Sequence, residues 1–329
     1  MFLNSSAEND SITFMPKNAC LFAFYVPLSL AVFGALGNLF VIISFSNFSP
    51  KLLKQATTLF VINLSVSDLI FCVFNIPLTA IPFYKRKWPF GAQLCQIFPI
   101  FFYGNIAVSL LTITFITFNR FVSIVINKHY KQIYSKNTIR LMIAFCWILP
   151  FSLLSLPLFK IWGQYGYERL TFTCTLLEFE NKSPKTIFFL ASFIIPCIAI
   201  LFCYTFIWIK VRRKCISSKR EMRVTKLIFV IFTVFILCFT PSILVEMFLN
   251  KNRYPYIYVA SLILVCLSAC VNPIIYFILN EHYRTALKRL LLGHSRGSIM
   301  SRNDSSTSSP TVKSNQNTYE TKFIYPPKL

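Results

Sequence analysis

Long apolar stretches recur along this chain near 22–46, 57–83, 96–126, 139–160, 186–211, 224–249 and 255–279, seven in all. A hydrocarbon core about 30 Å thick needs about 20 consecutive apolar residues of helix to cross it. Backbone groups in lipid must be bonded internally, and these segments are too long and too uniformly apolar for barrel strands, so each reads as a helix. Composition agrees: the chain is 55% hydrophobic and 13% charged, with 36 Phe, whereas a soluble domain carries about 25% charged residues. The expected fold is therefore an all-α membrane protein, a seven-transmembrane helix bundle. The third stretch is the longest and is expected to tilt. The opening residues MFLNSSAENDSITFMPKN lack the basic-then-apolar order of a signal peptide, so the first span is expected to target the chain by itself.

The placement of charge sets an orientation. Net charge is +22. With the N-terminus outside, the 47–56, 127–138 and 212–223 loops and the C-terminal tail lie in the cytoplasm and hold the larger share of Lys and Arg, including Lys51, Lys54, Arg212, Arg213, Arg223 and Arg284. That is the positive-inside pattern. The basic balance then reads as topology plus attraction to anionic inner-leaflet lipid. It does not read as nucleic-acid binding, because the charges border apolar spans and form no separate basic domain. The expected divisions are an extracellular tail over 1–21, the bundle over 22–279, an amphipathic membrane-surface helix over 280–292 and a disordered cytoplasmic tail over 293–329. Sequons at Asn4, Asn9 and Asn181 all fall outside and are expected glycosylation sites.

Three features inside this frame carry chemistry. Most of the 11 Cys lie in spans, as small buried hydrophobes do. Cys95, at the start of the third span, and Cys174, midway through the following outer loop, both face an oxidising compartment, and a Cys95–Cys174 bridge is expected. Asp68 is the one acid near the bilayer centre, with no Lys or Arg at its depth. A bound cation, a proton or a polar network must satisfy it. Asn38, Asn105, Ser109, Ser268 and Asn272 are candidate neighbours, of a kind that suits a hard cation with water. Arg120 is a charge at the edge of a span made of Ile, Leu, Phe and Thr, and so marks a functional site.

In order along the chain, Gly37-Asn38, the run Asn63 to Asp68, Cys95, Asn119-Arg120-Phe121, Trp147, Pro196, Tyr204, Cys238-Phe239-Thr240-Pro241 and Asn272-Pro273-Ile274-Ile275-Tyr276 form a pattern. It resembles a rhodopsin-like (class A) G-protein-coupled receptor over about residues 20–292. Asn119 replaces the family's usual acid and Phe239 its usual Trp. With the loop run His129-Tyr130-Lys131-Gln132-Ile133-Tyr134, these departures resemble invertebrate orphan receptors of the trapped-in-endoderm and moody kind.

The resemblance implies a switch built from Asn119, Arg120, Phe121, Tyr204, Glu221, Asn272, Pro273 and Tyr276. Because Asn119 forms no ion pair, Arg120 is expected to be held by Glu221 more than by Asn119. It implies an aromatic switch at Phe235, Phe239 and Pro241, and an allosteric sodium ion at Asp68, Asn105, Ser109, Ser268 and Asn272, with no other cofactor. The ligand pocket falls on Phe102, Tyr103, Ile106, Phe188, Ser192, Ser242, Ile243, Glu246, Tyr258 and Leu262. Phe102 stands where amine receptors carry Asp, and Cys266 where opsins carry Lys, so neither an amine nor light is the expected stimulus. A lipid-like ligand or a peptide fits the apolar, aromatic wall. Implied partners are a heterotrimeric G protein, arrestin and a receptor kinase at the plasma membrane. An enzyme is disfavoured, since His129, His282 and His294 all lie outside the spans. A transporter or channel using Asp68 is the alternative, but it would be expected to show internal repeats or several midplane charges.

Overall fold

A computed structural model describes residues 15–48, 52–177, 188, 190–214, 219–249 and 253–291. Asn4, Asn9, Asn181 and the 293–329 tail lie outside the described residues. Seven helices are long and apolar enough to cross a membrane. They are α1 (Lys17–Phe48), α2 (Ala56–Lys85), α3 (Gly91–Ile126), α4 (Lys136–Phe159), α5 (Ile195–Lys214, entered through Leu190–Ile194), α6 (Lys219–Phe248) and α7 (Pro255–Leu279). A further helix, α8 (Glu281–Leu291), follows α7 after Asn280 alone. Several begin about a turn before the apolar stretch, at Lys17, Gly91 and Lys136. Backbone pairing continues into the interfacial zone, where long basic side chains keep their heads in water. The start of α4 is fixed by a cap, Ser135 Oγ accepting the Thr138 amide at 3.3 Å.

Proline reshapes two of these helices through the turn that precedes it. Wide π-type turns at Phe71–Asn75 and Leu190–Ile194 lie just before Pro77 and Pro196. A proline ring clashes with the carbonyl four residues back, and an expanded turn relieves that clash. A third wide turn, Val122–Ile126, ends α3 with no proline to announce it.

α3 is the central post, packed on α2, α4, α5 and α6. α7 is clamped between α1 and α6. Gly34 permits the close approach of α1: a Cβ there would lie 2.6 Å from Cys72 Sγ on α2 and 2.7 Å from Cys270 Sγ on α7. Phe60, Leu64, Ile113, Ile116, Ile228, Ile231 and Tyr276 are buried in the common core. α8 docks through buried Tyr283 and Ala286, with the Tyr283 ring 6.0 Å from Phe45 of α1. Arg284 donates to the Ile278 carbonyl at 2.6 Å, satisfying one of the carbonyls that the end of α7 leaves open.

The loop after α4 is not featureless. It folds into an antiparallel hairpin, β1 (Gln164–Glu168) and β2 (Thr173–Leu177), with Tyr167 opposite Cys174. Cys174 is bonded to Cys95, with Cα atoms 5.2 Å apart, so the hairpin is stapled to the start of α3 as expected. Tyr103 hydrogen-bonds Thr175 at 2.8 Å, and the Tyr165 hydroxyl donates to the Leu154 carbonyl at 2.7 Å. Cys20 is buried and free, its thiol directed at the Met15 carbonyl.

Candidate functional site

Three clusters lie along the bundle, and α3 contributes to each. The first is at the hairpin end. Tyr258 and Leu262 of α7 are buried there with Met15, Phe83, Phe172 and Val245, and Phe102 packs against the group. Phe102 also meets Phe71, Phe98 and Tyr103 at ring distances of 5.5, 5.8 and 5.4 Å. Glu246 is half-buried near the end of α6. Ile106 and Ile243 pack on the core below, and Ser242 is half-buried. Phe188 and Ser192 sit apart: Phe188 packs on Trp162 at 5.3 Å and belongs with Ile100, Leu154, Tyr165 and Leu176. Ser192 is exposed, and its hydroxyl returns to the Phe188 carbonyl. Met15 and Phe172 were not foreseen. Each lies outside the helices, where no periodicity marks a buried side chain.

Arg86 ties these two together. Its guanidinium donates to the Met15 carbonyl at 3.0 Å and stands 5.9 Å over the Phe172 ring. The segment before α1 and the turn of the hairpin are thereby held together across the mouth of the bundle.

The second cluster surrounds Asp68, which is buried. Asn272 donates to one carboxylate oxygen at 2.7 Å and Ser109 to the other at 3.4 Å. Asn105 donates to the Ser67 carbonyl at 2.9 Å, and Ser67 Oγ pairs with Ser109 Oγ at 3.2 Å. A cavity opens here, lined by Asp68, Asn105, Ser109, Ser268 and Asn272 on its polar side and by Phe235 and Phe239 on its apolar side. All five residues expected around a cation thus line one cavity. Asn105 Oδ1 is buried with no hydrogen-bond partner among the described residues. An orphaned acceptor beside a carboxylate, with hydroxyl and amide oxygens around it, fits a hard cation. Asn38 does not join this set. Its amide donates to the carbonyls of Gly34 and Ala269 at 2.9 and 2.8 Å, tying α1 to α7. Phe235 and Phe239 stack at 4.2 Å, one turn apart on α6, with Pro241 half-buried beyond them.

The third cluster is at the opposite end of α3. Arg120 Nη2 donates to Thr57 Oγ1 and to Asn119 Oδ1, both at 2.6 Å. Thr57 in turn donates to Asn119 Oδ1 at 2.9 Å, and Asn119 Nδ2 reaches the Tyr130 hydroxyl at 3.1 Å. The result is a closed triangle of Arg, Thr and Asn, with Tyr130 attached. Glu221 is half-buried in the first turn of α6, and among the described residues the guanidinium hydrogen bonds go to Thr57 and Asn119. Asn119, though uncharged, thus shares in holding the guanidinium. A neutral amide oxygen still accepts a guanidinium N–H, and a hydroxyl relays to it. Tyr204 and Tyr276 bury hydroxyls that have no partner among the described residues. Thr117 comes near Tyr204, and its own hydroxyl donates to the Ile113 carbonyl at 2.9 Å. Phe121 faces Phe118 and Phe206, and Pro273 closes on Gly37. Between the second and third clusters, Asn63 donates to Thr112 at 2.8 Å and accepts from Trp147 at 2.9 Å, pinning α2, α3 and α4 together.

The family model described as 7 transmembrane receptor (rhodopsin family) matches residues 37–276. Protein trapped in endoderm-1 of Drosophila melanogaster is 36% identical over 84% of this chain and 78% of its own length. G-protein coupled receptor moody of the same organism is 28% identical over 82% of this chain and 51% of its own length, so the chain spans about half of that relative. Melatonin receptor type 1B-B of Danio rerio is 30% identical over 79% of this chain and 78% of its own length. Among solved structures, squid rhodopsin shares the fold, with a TM-score of 0.72 at 24% identity over 90% of this chain and 94% of that one.

Proposed function

The chain belongs to the rhodopsin family of seven-transmembrane receptors, and from that premise we propose that ligand binding at the hairpin end is transmitted along α3 to a heterotrimeric G protein at the Arg120 end. It is a multi-pass membrane protein and a receptor rather than an enzyme. One observation carries the proposal. α3 supplies Phe102 and Tyr103 to the first cluster, Asn105 and Ser109 to the second, and Asn119 and Arg120 to the third. At about 1.5 Å per residue the distance from first to last is about 27 Å, all within one continuous helix. The bias of Lys and Arg supports a plasma-membrane orientation with the hairpin outside and α8 on the cytoplasmic leaflet. The Ser- and Thr-rich stretch over 293–329 then offers sites for a receptor kinase and arrestin.

The triangle at Arg120 restrains the resting state. A ligand shifts the population only through differential affinity for the two states. In the active state Arg120 leaves Thr57 and Asn119 for the G protein, while Tyr204 and Tyr276 find partners for their hydroxyls. Asp68, Asn105, Ser109, Ser268 and Asn272 would hold a sodium ion, which supplies the positive charge that Asp68 lacks. Glu221 adds a longer-range restraint on Arg120. The mouth, walled by Phe102, Leu262 and Tyr258, suits a lipid-like ligand or an apolar peptide segment.

The test is a ligand screen, lipids and peptides included, against G-protein sensors of each class. A ligand-evoked response is expected in the wild type and absent in Arg120→Ala with equal surface expression. A full response in Arg120→Ala would remove Arg120 from the switch, and tracer flux through vesicles without any sensor response would favour a transporter.

A further inference from the structure

Arg223 lies in the second turn of α6, and Glu281 is the first residue of α8. Their side chains form an ion pair. The two elements it joins are held very differently. α8 is fixed to its neighbours: Tyr283 is buried against Phe45 and Tyr276, Arg284 covers the end of α7, and Asn280 accepts the Tyr283 amide at 3.2 Å. α6 packs chiefly on α7 and α3 and meets α8 only sparsely along the backbone. The ion pair is thus a side-chain bridge from the end of α6 to an anchored helix. Glu281 is well placed for it, because a helix N-terminus favours negative charge.

We propose that Arg223 and Glu281 form a clasp that holds the end of α6 closed in the resting receptor, with Glu281 as the positioning residue. The proposal rests on the receptor reading above, in which the Arg120 end must open to admit a G protein. Arg120 has the neutral Asn119 before it on α3, and among the described residues its guanidinium hydrogen bonds go to Thr57 on α2 and Asn119 on α3. The clasp adds a second charged restraint on α6 to the one proposed for Glu221, between two side chains each 60% exposed. A pair so exposed to water shifts an equilibrium by a factor of about two to five, which tunes resting activity without locking it.

A charge-swap cycle in the full chain, reconstituted in nanodiscs, tests this. The variants are Arg223→Glu, Glu281→Arg and the double exchange, with Arg223→Gln and Glu281→Gln in case a reversal misfolds. One readout is the distance distribution between spin labels at Lys226 and Arg140; the other is basal G-protein activation. Each single change should raise the outward population of α6 and the basal signal about two- to five-fold, and the double exchange should restore both. Unchanged distances in the single variants, or a folded double exchange that stays open, overturn the clasp. Distances that open and are restored while no sensor responds would uphold the clasp and count against G-protein coupling instead.

Discussion

A guanidinium held by a neighbouring carboxylate is released when that acid is protonated; one held by a hydroxyl and an amide has no such release. The hydrogen bonds described for Arg120 are of the second kind, and Thr57 stands at their centre, accepting from Arg120 and donating to Asn119. Thr57→Ala should raise basal signalling about five-fold, corresponding to about 1 kcal/mol, whereas Thr57→Ser should preserve the wild-type level. Basal activity of the two variants at matched surface expression checks it; equal activity in both would remove Thr57 from the restraint. Asn119→Asp should act in the opposite direction, lowering basal signal by adding charge to an existing contact. Arg120 and Asn119 were legible because a charge at a membrane edge is costly and the residues around it form a recognisable order. Thr57 was not. Threonines are common in these spans, and most, like Thr114 and Thr117, simply bond to the carbonyl one turn back. Nothing in the sequence separates a threonine that serves another helix from one that serves its own.

At the scale of the helix, the extents of the spans followed closely from apolar length, and Pro77 and Pro196 marked where the helices deform. The form of that deformation, a widened turn just upstream, depends on the carbonyl the ring displaces and is not written in the apolar pattern. Val122–Ile126 had no marker at all. Gly34 shows a similar limit. Its need for a bare backbone arises only because Cys72 and Cys270 arrive from two other helices. Gly34→Ala should destabilise the protein by about 1–3 kcal/mol through overpacking, read as a lower thermal midpoint in detergent. The same substitution in a Cys72→Ala, Cys270→Ala background should cost clearly less than it does alone. An equal penalty in both backgrounds would mean that the thiols are not what Gly34 accommodates.

Across the whole molecule, the cavity at Asp68 joins α2, α3, α6 and α7, so an ion there would act on the bundle and not on one helix. Sodium should raise the thermal midpoint of the wild type where N-methylglucamine at equal ionic strength does not, and Asp68→Asn should abolish the difference. At ten times its dissociation constant the ion would contribute about 1.4 kcal/mol. No sodium-specific shift in the wild type would dismiss the ion. The seven-helix plan and this constellation could be read from sequence because lipid leaves few ways to bury a backbone or a carboxylate. The hairpin could not, because strands of five residues in a loop carry too little pattern. Its turn has a kinetic consequence. Phe172 and Met15, both buried and joined through Arg86, pack in one cluster with Phe83, Tyr258 and Leu262. In the receptor proposed above, a ligand entering from the hairpin end would have to part this contact to reach Tyr258 and Leu262, and again to leave. Exchange would then be gated in both directions, and the response would outlast the pulse that started it.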